Sequence, residues 1–143
     1  LIQFLEAGQA GDTSNRATLE TYLAGGAIAL GDWVAFDTSQ SAADRALYVI
    51  EAAAVAVKGN SAAFGVAKAT VVAGDWVEVY IGGYCPVALV SAATVAGSPL
   101  VGPIGTAGRA EIEVPGTTTG QLCATALEAD VANLAAVFIH RKV

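Results

Sequence analysis

The chain has 143 residues, of which 55% are hydrophobic and only 14% charged, whereas an ordinary soluble domain is about 25% charged. Such a composition excludes intrinsic disorder, which needs few apolar residues and a high net charge. Thirteen acids against seven bases give a net charge of −6, without the basic footprint that displaces counterions from phosphates, so nucleic acid is not an expected partner.

The apolar surplus contains no Met and only 7% aromatic residues. With so sparse a coat of charge, part of the surface is expected to be covered by other protein. Residues 1–20 stand apart from the rest. Leu1, Ile2, Phe4 and Leu5 precede a polar stretch punctuated by Gly8 and Gly11, which supports neither a stable helix nor a central strand. Leu1–Glu6 has no basic leader and too short an apolar run for a signal peptide. The expected element is an arm with an adhesive tip, able to span roughly 66 Å when fully extended.

Strand signals dominate from Leu23 onward. Runs at residues 33–36, 46–50, 63–67, 76–81, 86–90, 109–114 and 135–140 are short and mostly rich in β-branched or aromatic residues. Gly, Asp and Pro separate them. Trp76, Glu78 and Tyr80 alternate with Val77, Val79 and Ile81, which is the two-residue period of a strand. Glu51–Lys58 has helical propensity, but Val55 and Val57 favour a strand; one helical turn is expected near Glu128–Asn133. The uncharged stretch from Val79 to Gly108 is cut by Pro86, Pro99 and Pro103, which argues against a membrane span. The expected fold is all-β: a small β-barrel or sandwich-like domain over residues 21–143, with the N-terminal arm at 1–20.

A short unit repeats. Gly31-Asp-Trp-Val34 recurs as Gly74-Asp-Trp-Val77, with a looser echo at Ala96-Gly-Ser-Pro-Leu-Val101. Each copy reads as a glycine turn feeding a strand, as at two equivalent corners of one barrel. Trp33 and Trp76 are candidate partner-binding residues because Trp anchors interfaces. Their matched positions favour a structural role, and a subunit seam would combine both.

No catalytic constellation emerges. His140 is the single histidine and lies near the chain end, where it reads as a surface residue. One His with two distant cysteines has no metal-site spacing, and Cys85 and Cys123 are expected as buried free thiols. Glu111 and Glu113 fit the solvated face of an edge strand. Asp32 and Asp75 read as turn formers. Gly102–Gly108 lacks the Lys of a phosphate-binding loop. No enzyme activity, cofactor or metal is expected.

From Ala63 onward the order of motifs resembles the capsid decoration, or cement, proteins of tailed bacteriophages. The residues concerned are Phe64-Gly-Val-Ala67, Ala73-Gly-Asp-Trp-Val77, Val79-Tyr-Ile-Gly-Gly83, Pro86-Val-Ala-Leu89, Ala96-Gly-Ser-Pro-Leu100 and Ala135-Ala-Val-Phe-Ile139. The chain departs from the family pattern at Ser98-Pro99, where an Asp is usual, and in carrying the additional Gly31-Asp-Trp-Val34 unit. The resemblance implies a virion subunit on the outer capsid surface that clamps neighbouring major capsid proteins against the pressure of packaged DNA. It also implies self-association, as a homotrimer with a dimer as the alternative. Leu1, Ile2, Phe4 and Leu5 would dock on the major capsid protein or on a neighbouring copy. The alternatives are another virion or tail subunit, or a β-barrel that binds a small ligand.

Overall fold

The computed structural model describes residues 16–115 and 121–140. Within them run β1 (Thr18–Ala24), β2 (Trp33–Phe36), β3 (Tyr48–Glu51), β4 (Gly65–Ala67), β5 (Trp76–Leu89), β6 (Pro99–Val101), β7 (Glu111–Ile112), β8 (Leu122–Ala126) and β9 (Leu134–Ile139). They form one sheet in the order β1-β3-β2-β4-β5-β9-β8-β6-β7. β1 also pairs antiparallel with β5, from Thr18 opposite Gly82 to Leu23 opposite Trp76. The pairings of β1, β3, β2, β4 and the front of β5 therefore return on themselves, while β9, β8, β6 and β7 continue as an open extension. The result is all-β and sandwich-like rather than a clean barrel.

Two apolar cores share one wall. Ala24, Ile28, Val34, Val49, Ala67, Val77 and Val79 fill the ring of β1 to β5. Trp33, Ala35 and Val66 point the other way and pack with Cys85, Ala88, Val90, Leu100, Ala124, Val137 and Ile139. Alternate residues of β2 thus feed different cores. A strand buried on both faces has no polar side to show, which explains the unbroken apolar run Trp33-Val34-Ala35.

The 14-residue β5 belongs to both halves. Two separate strands are expected over residues 76–90, but the chain continues through Pro86 as one. The register shifts between Cys85 and Ala88, opposite β9, and a bulge of this kind accommodates a proline that cannot donate to the ladder.

Three expectations need correction. β1 begins at Thr18, inside the stretch read as arm, because its backbone is needed to close the ring. Residues 52–58 are not a strand: β3 ends at Glu51, and the Gly59 N–H donates to the Val55 carbonyl at 2.9 Å. The segment 128–133 makes no helical turn. Val131 and Leu134 exchange backbone bonds of 2.9 and 3.0 Å, with Ala132 and Asn133 at φ 54° and 65°. That is a type I′ hairpin turn, whose twist matches the flanking strands. Leu122–Ala126 is strand β8, held by pairing with β6 and β9 rather than by its own weak propensity.

Candidate interaction surface

The repeated unit is one local structure used three times. Ala29-Leu30-Gly31-Asp32, Val72-Ala73-Gly74-Asp75 and Val95-Ala96-Gly97-Ser98 each close with the fourth N–H donating to the first carbonyl, at 3.0, 3.2 and 3.1 Å. Gly31, Gly74 and Gly97 have φ of 89°, 90° and 88°, the third position of a type II turn, which glycine fills without strain. One buried alanine clamps each turn. Ala67, Ala24 and Ala126 accept from the glycine N–H at 3.0, 2.8 and 2.8 Å. Each donates back to the carbonyl of Asp32, Asp75 or Ser98, at 2.9 Å in all three cases.

The side chain of the fourth residue completes two of these turns. Asp32 Oδ2 accepts the Ala29 N–H at 2.9 Å, and Ser98 Oγ accepts the Val95 N–H at 3.1 Å. Ser98, the departure from the resembled pattern, therefore does the same work as Asp32. The third copy, only an echo in sequence, is a full copy in structure.

The two tryptophans diverge after identical turns. Trp33 is fully buried, and its Nε1–H donates to the Leu89 carbonyl at 3.1 Å. Trp76 is 61% exposed. The difference lies in what covers the strand: the open extension packs over that side of β2, whereas among the described residues no second layer covers the Trp76 end of β5. Trp33 is thus a structural residue, and Trp76 is the one of the pair that a partner can reach. Leu1, Ile2, Phe4 and Leu5 lie outside the described residues.

Exposed apolar side chains gather at two other places. One is formed by the turns after β5 and β8. Val95 and Leu127 are exposed there, and Val131, at the tip of its hairpin, is 75% exposed. These loops are tied by the Asp130 N–H donating to the Thr94 carbonyl at 3.1 Å. The other is the segment after β3, where Val55 and Val57 are exposed beside an exposed Lys58. Much of the uncharged stretch from Val79 to Gly108 is buried. Cys85, Ala88, Val90 and Leu100 lie in the second core, Val101 is buried as well, and the lack of charge at these positions follows from that burial.

An open cleft of about 320 Å³ lies beside the first turn, lined by Ile28, Asp32, Glu51, Thr70 and Val71 among others. Asp32 is buried; burial pushes its carboxyl up to about 6, against the lowering effect of the Ala29 N–H, with the charge and hydrogen bond of Glu51 adding to the rise. The pairing of Asp32 with Glu51 is a feature that reading Asp32 as a turn former overlooks. Glu111 accepts from Arg109 Nη2 and from the Gly105 N–H, both at 3.2 Å, on the edge strand β7. Cys85 and Cys123 are both buried, and burial pushes the Cys85 thiol up to about 12. Among the described residues, no group of three or more His, Cys, Asp or Glu could hold a metal ion, and no helix is long and apolar enough to cross a membrane.

No family model matches the sequence, and no curated protein matches it. Among solved structures, the chain is similar to the crystal structure of the head fiber gp8.5 N base in bacteriophage phi29. The likeness has a TM-score of 0.55 at 18% sequence identity, and covers 88% of this chain and 96% of that one. The two chains share a fold over nearly their whole lengths.

Proposed function

We propose that this protein is a structural subunit of a phage virion, seated on the head as a capsid decoration or cement protein. The observation that carries the reading is the near-complete fold likeness to a head fiber base. The motif order from Ala63 onward, which resembles the decoration proteins of tailed phages, supports it independently. In this reading the ring and its extension sit on the outer shell and bridge neighbouring major capsid subunits. Residues 1–5 supply an apolar tip, attached through a polar spacer, for a capsid groove or a neighbouring copy. Many weak contacts repeated over a symmetric shell then act multivalently. The protein works by binding, with no chemistry of its own.

Co-sedimentation with empty heads built from the major capsid protein of the same phage tests the reading. The full chain pellets with heads and raises their disruption temperature. A chain lacking residues 1–15, which retains β1 whole, stays folded and binds much more weakly. A full chain that remains in the supernatant at every ratio overturns the assignment, and undiminished binding by the truncated chain removes the arm from it.

A further inference from the structure

We propose that copies of this chain associate head to tail, the Val95/Leu127/Val131 end of one molecule seating on the Val55/Val57/Lys58 knuckle of the next. The inference rests on the reading of the chain as a virion subunit and names one of its partners as a second copy of itself.

The two surfaces lie at opposite ends of β6. The turn carrying Val95 leads into Pro99, whereas the knuckle packs where the strand runs out. There the Pro103 carbonyl accepts the N–H groups of Val55 and Asn60, both at 3.0 Å. Both surfaces are apolar at the centre: Val95 and Val131 are 59% and 75% exposed, and Val57 is 59% exposed.

Their charges are complementary. The first end carries Glu128 and Asp130, and no Lys or Arg occurs between Glu111 and His140. The knuckle carries Lys58, which forms no ion pair among the described residues. Pairing two acidic ends would set Glu128 and Asp130 against their own copies, so the like-with-like arrangement is disfavoured. Joining opposite ends matches base to acid, and such a heterologous contact builds a ring or a filament according to its rotation.

Backbone conformation singles out the knuckle as well. Val57 has φ 71°, a conformation in which a β-branched residue is a true outlier. Strain of this kind persists where the surroundings over-determine it and gathers at functional contacts. Here it holds an isopropyl group out into solvent.

Sedimentation velocity of the full chain at low salt, over a dilution series, tests the proposal. Wild type forms a species larger than a monomer. Lys58→Glu and Asp130→Lys each weaken self-association by roughly tenfold or more, and the double variant recovers most of the loss because each reversed end again meets its opposite. Val131→Asp and Val57→Asp abolish it; both sites are exposed, and Asp tolerates a positive φ better than Val, so melting curves confirm that these variants fold. A wild-type chain that stays monomeric throughout overturns the proposal, as does a double variant no better than the singles. Head binding is scored separately: a monomer that still pellets with heads defeats this inference alone, and an oligomer that ignores heads defeats the virion reading alone.

Discussion

Asp32 and Glu51 bring their carboxyl groups to the same point over Gly108, where a methyl group would lie 3.0 Å from Asp32 Oδ1 and 2.7 Å from Glu51 Oε2. Asp32 ends the first type II turn and Glu51 ends β3, so the pair joins two segments 19 positions apart in sequence. Two acids so close cannot both ionise cheaply.

The sign of the resulting pH dependence follows from the raised value. The carboxyl of Asp32 titrates near 6 in the folded chain against 3.8 for the ordinary group, so between those values the folded state holds a proton that the unfolded state has released. Its contribution to stability is greatest below about pH 4, falls as pH rises towards 6 and is level above that. Asp32→Asn keeps an acceptor for the Ala29 N–H and carries no charge. Denaturant melts across this range should show the variant gaining on wild type from pH 4 to 6, by on the order of 1–3 kcal/mol at the plateau. A constant difference between the two proteins would refute the raised titration of Asp32.

Trp33 and Trp76 follow the same turn, but their substitutions are expected to differ sharply. Trp33→Ala empties a fully buried site and removes the indole hydrogen bond to the Leu89 carbonyl, at a cost of about 3–5 kcal/mol. Trp76→Ala stays within about 0.5 kcal/mol, as exposed positions do. Equilibrium urea unfolding separates the two outcomes. Equal losses would mean that Trp76 is packed in the free protein.

Gly83 is irreplaceable on two counts. Its φ is 77°, and a Cβ there would strike the carbonyl oxygen of Arg16 as the chain enters β1. Gly83→Ala should lower stability by about 2–4 kcal/mol, the sum of the left-handed penalty and overpacking. Removing residues 1–16 should reduce that loss to the conformational part alone. If the full penalty survives the truncation, the close approach of Arg16 is not its source.

Ser98 offers a test of the third turn. Ser98→Asp should be tolerated within about 0.5 kcal/mol, because Asp32 already serves the same position in the first copy, whereas Ser98→Ala loses a hydrogen bond worth about 0.5–1.5 kcal/mol. Thermal melts of the pair give the comparison. A destabilised Ser98→Asp would show that the two turns are not interchangeable.

Legibility in the sequence followed chemistry that is local. β2, the front of β5 and β9 announce themselves through β-branched and aromatic residues in short runs. The Gly-Asp-Trp-Val units correctly mark turns. β1 escaped because Thr18-Leu-Glu-Thr-Tyr looks polar until β5 is seen beside it, and β8 escaped because Cys-Ala-Thr-Ala has no strand signature apart from its neighbours. The repeat specifies a turn but not what packs over the following indole, so it could not separate Trp33 from Trp76. Glu51 carries no mark of its pairing with Asp32, which exists only once β3 lies beside β2.

The continuity of β5 has a mechanical consequence. Its front half is laced into the ring by β1 and β4, and its back half into the open extension by β9. A tensile load pulling the two halves apart along this strand is borne by covalent backbone. To slip, it must shear two ladders lengthwise, breaking many hydrogen bonds together rather than one at a time. Such a strand works as a tie-rod, and the register shifts opposite Thr18/Leu19 and between Cys85 and Ala88 are places along it where the rod can flex.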